Sequence, residues 1–225
     1  MGSSYVVTGC NRGLGLEFTR QLARRGDRVI ATARRPEEAE ELNELGLVVH
    51  PLDVRDTGSV RVFAAGLGEI PIDVVINNAG IGVASKPFEE LDLDELAGIF
   101  EVNSFGALRV TRALLPHLRL GHRKVVANIS SMMGSIGDNR SGEAYGYRGS
   151  KAALNMLTRS LAIDLRPEGF TCVVLHPGWV STDMGGPEAP LTAVESARGL
   201  ISVIDRLTIE KTGLFLDYAG QRVPW

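Results

Sequence analysis

In the stretch AYGYRGSKAAL at 144–154, two tyrosines, an arginine, a serine and a lysine crowd the expected start of a helix. Residues four apart share a helical face, so Tyr147 and Lys151 stand together while Tyr145 meets only Gly149. Free tyrosine keeps its proton up to a pH of about 10, and a nearby ammonium stabilises the phenolate left after that proton is given away. The pair points to acid/base chemistry on Tyr147 tuned by Lys151; the plain alternative is one face of an ordinary amphipathic helix.

A second group of residues suits phosphate. TGCNRGLG, at 8–15, places Gly9, Gly13 and Gly15 between a short apolar run and a helical period. Glycines there let the backbone turn sharply toward a pyrophosphate, whose charge would meet the free N–H groups and positive end of the helix. The spacing is not G-x-G-x-x-G, and a purely structural turn is the competing reading. After the next apolar run comes ATARRP, with Ala33 where an acid would bind an adenosine ribose and Arg34 following it. Arg34 and Arg12, the latter inside the glycine turn, are expected to converge on a 2'-phosphate, which favours NADPH over NADH, with NAD a second option. Alternatively Arg34 and Arg35 pair with Glu37, Glu38, Glu40 and Glu41. Asp53 in LDV could accept from an adenine amino group, and Gly80 in NNAG permits close backbone approach; each is equally readable as a cap or turn residue.

The elements that must position these groups alternate along the chain. SYVVTG, RVIATA, LVVHPLDV, IDVVINNAG, KVVANISS, FTCVVLHPG and GLFLDYAG read as strands, separated by helical segments that include 92–120, 147–168 and 192–207. Val- and Ile-rich runs without polar alternation suit strands buried on both faces. The expectation is an α/β fold: a doubly wound, Rossmann-type parallel sheet of about seven strands with helices on both faces, in a single domain over 1–225. In such a sheet ligands bind beyond the carboxyl ends of the strands, where all the residues singled out above lie.

Bulk properties narrow the function. With 225 residues, 44% hydrophobic and 23% charged, the chain can bury a real core, and a net charge of −3 offers no pull toward nucleic acid or anionic lipid. No stretch approaches the roughly 20 apolar residues of a membrane span and no secretory signal is visible, so a cytoplasmic protein is expected. Cys10, Cys172 and the four histidines show no metal-ligand spacing, and no metal is expected. Cys10, lying in the phosphate turn, reads as a small filler or as an oxidisable thiol that would block cofactor; His176 and Cys172 read as packing residues.

T-G-x-x-x-G-x-G, N-N-A-G, a serine after the fifth strand, Y-x-x-x-K and HPGWVSTD, in this order, resemble the short-chain dehydrogenase/reductase family over almost the whole chain. HPGWVSTDMGG and the terminal VPW are similar to the subgroup that holds sniffer-type carbonyl reductases and the C-signal protein. The resemblance implies an oxidoreductase that moves hydride between a nicotinamide and a carbonyl or alcohol, with Asn103, Ser131, Tyr147 and Lys151 as the catalytic set. Ser131 would hold the carbonyl oxygen, with Ser130 and Ser135 as alternatives because Tyr147 lies 16 positions on. Asn103 would sit at a helix break that holds a water and extends a proton relay to Lys151, which would also grip the nicotinamide ribose. The cofactor would run past Gly9, Asn11, Arg12, Gly13, Leu14 and Gly15, then Arg34, Asp53, Val54, Asn78, Ala79 and Gly80. It would end against Tyr147, Lys151, Pro177, Gly178, Val180 and Thr182. The lid after Thr182 is short, so an open cleft for a small-molecule carbonyl is expected, and the family's habit of pairing through 92–120 and 147–168 implies a homodimer or homotetramer. The rival reading is a dinucleotide-binding signalling or regulatory protein of the C-signal type with incidental turnover.

Overall fold

The computed structural model describes residues 2–82 and 85–225. Strand β1 (Ser4–Thr8) leads through the glycine turn into α1 (Gly13–Arg24), followed by β2 (Arg28–Ala33), α2 (Glu40–Glu44), β3 (Val49–Pro51) and α3 (Thr57–Gly66). The second half runs β4 (Val74–Asn77), α4 (Leu93–Phe100), a π turn (Glu101–Phe105), α5 (Gly106–Leu120), β5 (Val125–Ile129), α6 (Tyr145–Leu165) and β6 (Thr171–His176). After a short pair, β7 (Val180–Ser181) and β8 (Leu191–Thr192), the chain closes with α7 (Ala193–Asp205) and β9 (Phe215–Asp217).

Seven strands form one parallel sheet in the order β3-β2-β1-β4-β5-β6-β9, the doubly wound arrangement expected. Its strands are apolar on both faces because both faces are covered. One face meets α1 and α7 through Leu16, Leu22, Leu200 and Ile204; the other meets α3, α5 and α6 through Phe63, Val110, Leu114 and Ala162. In α1 the buried residues Gly15, Phe18, Thr19 and Leu22 recur every three or four positions, so one stripe faces the sheet. The chain order reverses between β1 and β4, and there the strand ends open a crevice.

Asp73 pins the opposite end of the sheet. Its buried carboxylate accepts from Ser4 N (2.8 Å), Ser4 Oγ (3.0 Å), His122 N (2.8 Å) and Arg123 N (3.3 Å), joining the lead-ins of β1, β4 and β5. Burial alone would raise its pKa, but these donors outweigh burial and hold it below the usual carboxylate range. Because the folded value is depressed, the stabilisation is complete above the unfolded value of about 3.9 and is lost as the pH falls through the folded one. Asp73→Asn would turn an amide NH2 toward these donors, and urea unfolding at pH 7 is expected to show a loss of about 2–3 kcal/mol.

Candidate active site

Helix α6 begins abruptly. Gly142 (φ 67°), Glu143 (φ 55°) and Ala144 (φ 46°) are all left-handed, a conformation that costs the two non-glycine residues energy and must be held by neighbours. Arg148 holds it, donating from Nε to Gly142 O (2.8 Å) and from Nη2 to Ser141 Oγ (2.7 Å), and Ser85 Oγ accepts from Ala144 N (3.0 Å). Tyr145 faces outward against Phe88, with ring centres 5.9 Å apart. Tyr147 and Lys151 instead line the crevice beyond the strands.

Their electrostatics differ from the sequence expectation. Burial pushes the Tyr147 phenol above its ordinary value, opposed only by a hydrogen bond with the Ser131 side chain. The ammonium does not pull it down because Lys151 Nζ donates to Ile129 O at 2.9 Å and stands 5.7 Å from the tyrosine ring centre. Fully enclosed, Lys151 is itself pushed down to about 8.

The three candidate serines separate cleanly. Ser131 is the one whose side chain acts on the Tyr147 phenol, drawing its pKa down against burial, and Met133 N donates to Ser131 Oγ at 3.1 Å. Ser130 points the other way and donates to Asn155 Oδ1 at 2.7 Å, as strand alternation requires. Ser135 donates to Trp225 O at 3.1 Å. Asn103 sits in the π turn, the helix break that the resemblance implied. Its side chain accepts from Ile81 N (2.8 Å) and donates to Ile81 O (2.9 Å) and to Ser150 Oγ (3.0 Å), so it stitches main chain rather than reaching into the crevice.

The crevice holds a cleft of about 300 Å³ running from Tyr147 and Lys151 past Gly80 to the glycine turn, Arg34 and Asp53. Gly9 (φ 71°) and Gly13 (φ 56°) are left-handed, a conformation glycine takes without the cost a side chain would add. Helix α1 carries no side-chain cap, so the N–H groups of its first turn are available to a ligand. Asn78 holds this turn from below, Nδ2 donating to Thr8 O (2.9 Å) and Gly9 O (3.1 Å). Asn11, Arg12, Leu14, Val54, Asn78, Ala79, Pro177 and Thr182 line the cleft. Gly15, Asn103, Ser131, Gly178 and Val180 do not line it; they shape or adjoin its walls. A Cβ on Gly178, for instance, would stand 2.8 Å from Leu191 Cδ2.

Charges at the glycine-turn end are only partly as expected. Arg12 makes a 2.6 Å ion pair with Asp183 across the mouth instead of converging with Arg34, since the glycine turn and the segment after β7 lie close together there. Arg35 pairs with Glu38, but Arg34 enters no ion pair among the described residues and lines the cleft. Asp53 is gripped by Arg55 (2.9 and 3.2 Å), whose hydrogen bonds are the main cause of its lowered pKa. Arg55 and Met184 also line the cleft and escaped the sequence reading; the D-x-R spacing of Asp53 and Arg55 in a turn after a strand was the available signal. Cys10 is fully buried, bonds Val7 O and is pushed up to about 11 by burial, which suits a filler and not a reactive thiol. His176 accepts from Met132 N at 3.1 Å and is lowered by burial, a strand-end packing residue. Among the described residues no cluster of three or more His, Cys, Asp or Glu could hold a metal ion, and no helix is long and apolar enough to cross a membrane.

With this geometry in view, the model of the family described as short chain dehydrogenase matches residues 4–190. The chain belongs to the short-chain dehydrogenase family. Among its relatives in the family, the C-signal of Myxococcus xanthus is 52% identical over 166 residues, which span 74% of this chain and all of that protein. The carbonyl reductase Sniffer of D. melanogaster is 33% identical and superimposes with a TM-score of 0.96 over the whole of both chains. The NADPH-bound carbonyl reductase from chicken fatty liver is 36% identical, with a TM-score of 0.93 over all of this chain and 99% of that one. The parallel sheet and the crevice at its strand ends are thus features of an oxidoreductase family whose structural neighbours here include carbonyl reductases.

Proposed function

We propose that the protein is an NADPH-preferring reductase of ketones or aldehydes, able to run the reverse alcohol oxidation. The observation that carries the reading is one cleft with Tyr147 and the enclosed Lys151 at one end, Ser131 adjoining them, and an uncapped helix N-terminus beside Arg34 at the other. The residues fit a dinucleotide phosphate: Gly9, Gly13 and the first turn of α1 for the pyrophosphate, and Arg34 for a 2'-phosphate. Gly80 lies on the path between the two ends, with Thr182 beside Gly13 and Asp53 close to Arg34. Bound NADPH would supply the hydride.

The chain's own residues handle the oxygen. As hydride reaches the carbonyl carbon, negative charge builds on oxygen; the Ser131 hydroxyl donates a hydrogen bond to it and Tyr147 Oη donates a proton, leaving an alcohol and a phenolate. Lys151, charged below about 8, stabilises that phenolate from one turn away. The cleft's outer rim carries the exposed apolar side chains Ile81 and Met184, which suits an apolar carbonyl. Pairing into dimers or tetramers through the segments 92–120 and 147–168 is supported by the exposed Phe105, Met156 and Ile163.

Mixing the protein with NADPH and a panel of carbonyl compounds is expected to give substrate-dependent loss of cofactor absorbance, with NADH slower. Arg34→Ala should lose about tenfold or more in affinity for NADPH and little for NADH; an unchanged NADPH affinity would remove the arginine from the 2'-phosphate site. A second reading, a dinucleotide-binding signalling protein, is carried by the 52% identity with the C-signal. Tight NADPH binding with no turnover of any carbonyl would favour it.

A further inference from the structure

Ser150 stands beside the lysine in sequence yet faces away from the cleft, fully buried where α6 meets the π turn. Its hydroxyl donates to Tyr147 O at 2.9 Å and accepts from Asn103 Nδ2 at 3.0 Å. A serine bonding back to the carbonyl three residues earlier is common and local; the second bond, across elements, is not. The other hydrogen on Asn103 Nδ2 goes to Ile81 O and Asn103 Oδ1 accepts from Ile81 N, so turning the amide over would set its NH2 against an N–H. One residue on, Ser104 Oγ donates to the Ser150 carbonyl at 2.7 Å.

Ile81 follows Gly80, where a Cβ would stand 3.3 Å from Asn103 Oδ1 and 3.6 Å from Lys151 Nζ. The main chain of Tyr147, the Asn103 amide and the segment 79–82 over the lysine ammonium therefore form one continuous line of contacts. Ser150 Oγ is its central link.

We propose that Ser150 is a positioning residue: through Asn103 it holds the Gly80 segment against Lys151 Nζ while anchoring the turn that carries Tyr147. The inference rests on the acid/base reading of Tyr147 and Lys151 given above. Without the hydroxyl, one Asn103 N–H is buried with no acceptor, a loss the surroundings relieve by shifting or by admitting water. The shift loosens the cover over Lys151, and a less enclosed lysine titrates nearer its ordinary value. The groups facing the Tyr147 phenol are Lys151 from its own helix and Ser131 from the end of β5, and no carboxylate contributes to the shift of Tyr147 or of Lys151.

Two measurements on the full chain test this. Native-state hydrogen exchange at the Ile81 amide is expected to quicken about tenfold in Ser150→Ala. Ser104→Ala, which removes only the bond to the Ser150 carbonyl, should leave it within about twofold of wild type. In NADPH-dependent carbonyl reduction, Ser150→Ala should lower kcat about tenfold and move the alkaline limb of the pH profile upward by about half a unit; Ser104→Ala should keep the limb in place. Unchanged Ile81 exchange in Ser150→Ala overturns the proposal whether or not turnover is seen. So does a wild-type pH limb, a limb displaced equally in Ser104→Ala, or a Ser150→Ala protein that does not fold by circular dichroism. Tyr147→Phe assayed alongside keeps the two readings apart: turnover surviving in that variant defeats the acid/base assignment, whereas the exchange result speaks to Ser150 alone.

Discussion

Tyr147→Phe is expected to reduce carbonyl turnover by about 10³-fold, the middle of what a positioned proton donor contributes. The substitution removes one oxygen from a largely buried ring and leaves the Lys151–Ile129 bond untouched, so thermal unfolding and NADPH affinity should stay close to wild type. Wild-type rates should also depend on pH in a definite direction. Tyr147, raised above its ordinary value by burial, keeps its proton throughout the neutral range, so the donor is always loaded. Lys151 is lowered to about 8, so the charge that steadies the phenolate is present below that pH and disappears as the pH rises through it. Reduction is expected to be level on the acid side and to fall with an alkaline limb near about 8. A Tyr147→Phe enzyme with more than about a tenth of wild-type kcat would show that another group delivers the proton.

Gly15→Ala is expected to do comparable damage by a different route. A Cβ at Gly15 would stand 2.0 Å from Gly9 O and 2.6 Å from Asn78 Nδ2, and neither can retreat, because Asn78 is itself bonded to the main chain of Thr8 and Gly9. The glycine turn must open to admit the methyl group, which costs about 3 kcal/mol in overpacking and displaces the N–H groups meant for phosphate. Calorimetric titration should show NADPH binding weakened about 100-fold. Gly66→Ala, where nothing lies within 4 Å of the added atom and the residue closes α3, serves as the control and should leave NADPH binding unchanged and melt no lower than wild type. Equal behaviour of the two variants would mean the turn is not the phosphate cradle.

Much of this molecule could be read before its structure was known, and the parts that could share one property. The strand segments, the two covered faces of the sheet and the glycine turn come from hydrophobic period and from glycine placement, which are local and survive in a linear string. Tyr147 and Lys151 were legible for the same reason, since one helical turn sets their spacing. The choice of Ser131 over Ser130 rests on alternation along an extended backbone, again a local rule.

What remained hidden depends on partners distant in the chain. Arg12 and Asp183 are 171 positions apart, and nothing near Arg12 says that its guanidinium meets a carboxylate across the cleft before it meets a phosphate. The bond from Ser150 to Asn103 spans 47 positions, that from Lys151 to Ile129 spans 22, and each redirects a group whose type alone suggested another use. The sign of the Tyr147 shift is the sharpest case: spacing argued that the ammonium would lower the phenol, whereas burial by the packed sheet and helices raises it. Sequence by itself determined which residues are available and which local geometry carries them. Tertiary structure alone decided how far each is taken out of water and which distant atom claims its hydrogen bonds, because desolvation and long-range pairing are properties of the folded whole.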